Sequence, residues 1–207
     1  MTLKSSVMQP LTLVFDVGMV LIGADYEPFL AFMRAHGADT SDIEEFCVRV
    51  DLDGHERGDV DALTFMQRLS AVCTQKPEPA ELLKYWNSFY FPDLVMTDFV
   101  RRAATRQPVY LLSNMGALHW DHLEKAFGIP SLGHGAVASY TVGAIKPHPT
   151  IYETIEQRFN LDPARTVFID DRPVNIAAAK ERGWAGIVHR DATQTLQALA
   201  QLGVDIS

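Results

Sequence analysis

"VFDVGMVLI", residues 14–22, completes an apolar run begun in "LTLVF" (11–15) and delivers an aspartate, Asp16, into a short turn. Two residues on, where a second carboxylate would be most useful, stands Gly18. Four more runs of the same kind follow: "VYLLS" (109–113) and "TVFID" (166–170) clearly, "GAVAS" (135–139) and "AGIVH" (185–189) more weakly. Short, nearly continuous apolar runs bounded by turns or helix-like stretches are how strands buried on both faces read. Helical periodicity falls between and after them, at about 117–127, 149–160, 173–182 and 192–202. "PVNIAAAKERG" (173–183) is the clearest case, with Pro173 suited to a first turn and Gly183 to a C-terminal cap. Strands alternating with helices predict an α/β fold with a doubly wound, Rossmann-like parallel sheet.

Residues from about 24 to 95 break the rhythm. "YEPFLAFMRAHG", "SDIEEFCVRV", "DALTFMQRLSAVC" and "PAELLKYWNSFY" are helix-like, and no convincing pair of strands lies among them. The expected organisation is an α/β core from 1–23 and 96–207, with a small helical cap, 24–95, inserted after the first strand. Such a cap would cover the carboxyl ends of the strands, where open α/β sheets bind ligands.

The 207 residues, 47% hydrophobic and 21% charged, suit an ordinary globular chain. A net charge of -8 argues against nucleic acid as the main partner, but leaves room for a small phosphorylated ligand held by one or two cations in a cleft. Cys47 and Cys73 stand in neither a CxxC nor a His/Cys cluster, so buried free thiols are expected. "MTLKSSVMQP" has one lysine and no apolar segment, and no stretch is long enough to span a bilayer, which points to the cytoplasm. There is neither a GxGxxG after the first strand nor a GxxxxGK[ST].

Reactive side chains follow predicted strands in four places: Asp16; Ser113 and Asn114; Lys146 in "GAIKPHPTIY" (143–152); and Asp170 and Asp171 in "VFIDDRPVN" (167–175). Alone, a strand-end aspartate is commonly a cap and a lone lysine a solvated charge. Parallel strand ends converge, however, and three carboxylates in one crevice need either raised pKa values or cations. An oxygen-only ligand set favours Mg²⁺.

With these residues in place, the chain resembles the haloacid dehalogenase superfamily, chiefly its phosphatase branch. The four family motifs occur in order as "FDVGMVL", "LLSN", Lys146 in "KPHPTIY", and "FIDDRPVN". Closer likeness is to the subgroup acting on α-D-glucose 1-phosphate and to the phosphatase-like domains of epoxide hydrolases, which also lack the second aspartate and share a cap segment like "HERGD" (55–59). The resemblance implies that Asp16 attacks phosphorus, giving a phosphoaspartyl intermediate. It implies that Mg²⁺ is bound by Asp16, the Gly18 carbonyl and Asp171, with Asp170 assisting directly or through water. Ser113 and the Asn114 backbone would hold phosphate oxygens, Lys146 would offset charge, Asn175 would orient the metal loop, and His55 and Arg57 with Glu56 would face the substrate.

Gly18 removes the usual acid and base, a group typically worth about 10²- to 10⁴-fold in rate. A sugar leaving through its anomeric oxygen suffers least, which favours glycosyl phosphates. His55, His119 and His148 are candidate replacements, although packing histidines are the ordinary reading. "VDLDGHERGD" (50–59) imitates the nucleophile motif but lacks its strand context and is assigned to the cap, as a charged turn. "HWDH" (119–122) spaces two histidines for a metal without a third ligand. The expected function is a Mg²⁺-dependent phosphomonoesterase acting on a small phosphorylated metabolite, with neither nucleic acid nor membrane as partner, as monomer or homodimer. A metal-independent 2-haloacid dehalogenase and a non-catalytic binding protein are the alternatives.

Overall fold

Leu13 and Phe15 point to one side of strand β1 (Thr12–Phe15) and Val14 to the other, and all three are fully buried. Both faces of this strand are therefore covered, as its unbroken apolar character requires. The computed structural model describes residues 10–207; readings that fall on residues 1–9, among them most of the leader argument, lie outside these. The later strands are β2 (Ile22–Ala24), β3 (Tyr90–Pro92), β4 (Val109–Ser113), β5 (Ala136–Ala138), β6 (Thr166–Asp170) and β7 (Ala185–Val188). Four of them join β1 in one parallel sheet, in the order β5-β4-β1-β6-β7.

The chain winds from β1 outward to β5, then returns to β6 on the opposite side of β1, so the winding reverses at the central strand. Phe15 is in register with Leu111 on one side and Ile169 on the other. β1, β4 and β6 thus run out along one edge, at the switch point where such sheets bind ligands.

The helices are α1 (Glu27–Ala35), α2 (Ile43–Val50), α3 (Leu52–Arg57), α4 (Ala62–Ala71), α5 (Pro79–Asn87), α6 (Leu94–Ala103), α7 (Ala117–Phe127), α8 (Pro149–Phe159), α9 (Pro173–Glu181) and α10 (Ala192–Gln201). Met96, Phe99 and Val100 of α6, Leu123 of α7 and Leu199 of α10 pack on the sheet face carrying Leu13 and Phe15. Ile151 and Ile155 of α8 and Ile176 and Ala179 of α9 cover the face carrying Val14 and Phe168. Helices on both faces make the sheet doubly wound, as the alternation of strands and helices predicts. Helices α1 to α5 bury Phe29, Met33, Phe46, Phe65, Leu69, Leu82 and Trp86 in a separate apolar cluster.

Three elements depart from the sequence reading. β2 and β3 form an antiparallel ribbon at the entrance and exit of the helical segment; each is three residues long, too short to show a period, and β3 ends a helix-like run. α6 begins at Leu94, inside the span expected to be insertion, because Asp93 caps it by accepting from the Val95 and Met96 N–H groups. "VDLDGHERGD" is not a solvated turn: Asp51, in the left-handed conformation, ends α2 and caps α3, and α3 carries most of that stretch. Cys47 and Cys73 are both free, as expected, but Cys47 is only half-buried. Among the described residues no helix is long and apolar enough to cross a membrane.

Candidate active site

Asp16 leaves the end of β1 with its backbone N–H donating to Ile169, and its own Oδ1 accepts from the Val17 N–H at 2.6 Å. These bonds hold the carboxylate over the edge of the sheet. Lys146 enters from the loop before α8 and reaches three acceptors: Asp16 Oδ1 at 2.8 Å, Asp170 Oδ2 at 2.7 Å and the Leu112 carbonyl at 2.9 Å. Its ammonium is buried, which alone would lower its pKa, yet the two carboxylates raise it above the ordinary value. The lysine is therefore a fixed cation joining two strand ends.

Asp170, at the end of β6, is fully buried and fully engaged. Its oxygens also accept from the Arg172 N–H at 2.8 Å and the Asn175 side-chain amide at 2.9 and 3.1 Å. Burial raises its pKa, but Lys146 and these donors outweigh burial and hold it below the usual carboxylate range. Asp16 behaves oppositely: burial and the charge of Asp170 push it up to about 7 despite Lys146. Asp171 is half-buried and also raised, by desolvation and Asp170. One ammonium among three carboxylates leaves the crevice short of positive charge. Asp16, Asp170 and Asp171 each offer an oxygen, all within 4.8 Å of one another.

Ser113 ends β4 with only 1% of its surface exposed, and its Oγ has no partner among the described residues. A buried hydroxyl without a partner is costly unless a ligand supplies one. Asn114 clasps the Lys146 backbone from both sides, its amide donating to the carbonyl at 3.0 Å and its Oδ1 accepting from the N–H at 2.6 Å. Its side chain therefore positions the lysine, leaving only its backbone for a ligand. A Cβ built on Gly18 would meet nothing within 4 Å, so the site has room for the side chain that the sequence lacks.

Among the described residues, none of the three candidate histidines hydrogen-bonds to this cluster. His55 is buried, stacks on Phe65 with ring centroids 4.2 Å apart, and lies 3.0 Å from the Val60 carbonyl through Nδ1. His119 donates from Nε2 to the Trp86 carbonyl at 2.9 Å, and burial lowers its pKa to about 3. His148 caps α8, its Nδ1 accepting from the Thr150 N–H. Each makes packing or capping contacts, while His55 Nε2 has no partner among the described residues and His119 lines the cavity under the helices. Arg57 ion-pairs with Asp59 two residues on, rather than reaching toward the aspartates.

Glu56, between His55 and Arg57, is the group that sequence reasoning passed over in its search for an acid. Desolvation, with the charges of Asp53 and Asp16, pushes its carboxyl up to about 8, against the opposing pull of Lys146 and Arg172. Its carboxyl is therefore biased toward the protonated form, within electrostatic reach of Asp16. Ser139, at the start of the short 3₁₀ turn Ser139–Thr141, donates to the Glu56 carbonyl and accepts from the Met115 N–H at 2.9 Å. Its own burial beneath α3 ties that helix to the strand ends.

Comparison with known proteins identifies the family. A family model for haloacid dehalogenase-like hydrolases matches residues 61–183. A D-ribitol-5-phosphate phosphatase of Bacteroides thetaiotaomicron is 25% identical over 181 residues, covering 83% of this chain and 88% of the relative. A HAD family enzyme from the same organism, solved in complex with magnesium and inorganic phosphate, superimposes with a TM-score of 0.79 at 25% identity, over 87% of this chain and 94% of that one. A predicted HAD-like hydrolase of Porphyromonas gingivalis shares the fold, with a TM-score of 0.80 at 23% identity over 95% and 99% of the two chains. With the family match spanning more than half of its length, the chain belongs to the haloacid dehalogenase-like hydrolases.

Proposed function

We propose that this protein is a Mg²⁺-dependent phosphomonoesterase that works through a phosphoaspartyl intermediate on Asp16. The observation that carries the reading is the convergence of Asp16, Asp170 and Asp171 around Lys146, beside the unpartnered hydroxyl of Ser113. The relative named as a phosphatase, and the neighbour that holds magnesium and inorganic phosphate, support it.

The donor set fits Mg²⁺, being made of oxygen alone and short of positive charge. Asp16, Asp171 and the Gly18 backbone carbonyl would hold the ion, with Asp170 supporting from its bonds to Lys146 and Asn175. Bound there, Mg²⁺ supplies the positive charge that lets anionic phosphate approach anionic carboxylates. Ser113 Oγ and the Asn114 N–H hold phosphoryl oxygens, and Lys146 offsets charge developing between Asp16 and phosphorus.

In the first step an Asp16 oxygen forms a bond to phosphorus as the bond from phosphorus to the ester oxygen breaks, and that oxygen takes the proton of Glu56. In the second, water attacks the phosphorus of the aspartyl phosphate and gives a proton to Glu56, releasing phosphate and restoring Asp16. Glu56 thus takes the part that Gly18 cannot. Helices α1 to α5 act as a cap that excludes water during the displacement. Because a buried acid protonates the leaving oxygen, the chemistry does not require the unusually good leaving group of a glycosyl phosphate.

Phosphate release with Mg²⁺ and with EDTA tests the reading. Release should require the metal and be lost in Asp16→Asn, whose circular dichroism should match that of the wild type. Release that persists in EDTA, or in the variant, would refute it. A haloacid dehalogenase needs no such cation, so halide release from 2-chloropropionate without Mg²⁺ would favour that chemistry instead.

A further inference from the structure

Between the helical lobe and the strand ends lies a cavity of about 380 Å³. Phe29 of α1, Phe46 and Val50 of α2, Leu52 of α3, Trp86 of α5 and Phe89 are among the residues that form its wall. The rings brace one another: Phe29 meets Trp86 edge-on at 5.2 Å between centroids, and Trp86 meets Phe89 at 5.5 Å. Interlocked aromatics hold the wall in one shape. Among the described residues no lysine, arginine, aspartate, asparagine, glutamine, serine or threonine lines it.

The cavity is linked to the reacting groups through one residue of its wall. Glu56 is part of the wall and feels the charges of Asp16 and Lys146. Burial raises the phenols of two tyrosines of the wall, Tyr90 with smaller contributions from Tyr26, Glu56 and Asp16, and Tyr26 with smaller ones from Glu56 and Asp171. An ester whose phosphate sits at Asp16 would therefore extend its alcohol part past Glu56 into the aromatic chamber.

A polyol carries a hydroxyl on nearly every carbon, and each one taken from water needs a partner. This wall supplies few: the Glu56 carboxyl, the tyrosine hydroxyls, the His119 ring, whose Nε2 is already engaged with the Trp86 carbonyl, the weakly polar Cys47 thiol, and the indole N–H of Trp86, which has no partner among the described residues. The geometry points to phosphate monoesters of apolar alcohols, with a compact ring or a branched chain, as the substrate class, in place of sugar phosphates. This assignment rests on the phosphomonoesterase reading. Small-molecule pockets run from roughly 300 to 1,000 Å³, so a chamber near the lower end suits a compact group.

The test compares kcat/KM for citronellyl phosphate and 2-phenylethyl phosphate with that for ribitol 5-phosphate and glucose 6-phosphate, all four being esters of primary alcohols with similar intrinsic reactivity. The apolar esters should lead by about 100-fold or more, as differences of a few carbons in an apolar pocket allow. Leu30→Gln, at a half-buried position on the wall, should raise KM for citronellyl phosphate with little change in kcat. In parallel, calorimetric titration of the Asp16→Asn protein, which cannot turn over, should show citronellol binding and ribitol not. Turnover that favours the sugar and polyol phosphates, or ribitol binding in place of citronellol, would overturn the substrate class and leave the phosphatase standing. No hydrolysis of any ester, with citronellol still bound, would overturn the phosphatase reading and the ester with it, leaving only an apolar binding chamber.

Discussion

At position 18 the chain has a glycine with open space where a Cβ would stand, and at position 56 a half-buried carboxyl that desolvation biases toward its protonated form. If one replaces the other, Glu56→Gln should lower kcat by about 10²- to 10⁴-fold, the usual worth of a positioned acid. Introducing Gly18→Asp into that variant should restore part of the loss, since a Cβ there meets no neighbour. The pH dependence has a definite sign. Glu56 acts as an acid only while protonated, so kcat should fall as pH rises through about 8, and this limb should be missing from Glu56→Gln. A flat profile in the wild type would remove Glu56 from the reaction. Asp16 and Ser113 were legible because each stands at the end of an apolar strand run, whereas Lys146, expected just after a strand, lies in the loop before α8 and was legible only through its motif. Glu56 was not, because nothing in "HERGD" distinguishes a desolvated acid from a surface charge until the fold lays a lid of aromatic helices over it.

Helix α3 is the element on which the site depends and the one least visible in the sequence. Its six residues are too few to show helical periodicity, and "DLDG" invites a different reading. What makes it a helix is Asp51, whose side chain accepts from the Gly54 N–H at 3.1 Å, and what ends it is Gly58 at φ +89. A Cβ on Gly58 would lie 2.4 Å from the Tyr140 carbonyl oxygen, so only glycine lets α3 sit against the 3₁₀ turn. Ser139 is the polar half of the same contact. Ser139→Ala leaves the buried Met115 N–H without its acceptor and should cost about 1–3 kcal/mol in denaturant unfolding. Because the same hydroxyl holds the Glu56 carbonyl, kcat should fall more than KM rises; an unchanged kcat would separate this clip from catalysis. By contrast α7 to α10 and the five sheet strands matched their sequence patterns closely, since long amphipathic or wholly buried runs leave little choice of conformation. β2, β3 and α6 escaped because ribbon strands of three residues carry no period, and because the α6 cap, Asp93, lies in a stretch read as helical insertion.

Across the whole molecule, the helical lobe and the sheet meet through a neutral histidine. His119 of α7 stacks on Trp86 of α5 at 4.3 Å between centroids while donating to its carbonyl. Its pKa of about 3 in the fold lies below the ordinary 6.5 because burial disfavours the charge. The unfolded chain therefore takes up this proton first, so the stability that His119 contributes is complete above pH 6.5 and is lost as pH falls toward 3. Thermal melts across that range should show a steeper acid loss for the wild type than for His119→Gln, which keeps a donor for Trp86 without the titration; equal slopes would contradict this. In the proposed reaction the alcohol part lies in the aromatic chamber beside Glu56 and the phosphate lies in the charged crevice, and the chemistry turns on a covalent bond to Asp16. Its most direct test is to quench the protein with borohydride during Mg²⁺-dependent turnover and map the product by peptide mass spectrometry. Reduction of an aspartyl phosphate should convert Asp16, and no other carboxylate, to homoserine; an unmodified Asp16 under conditions of rapid phosphate release, or a homoserine elsewhere in the chain, would contradict it.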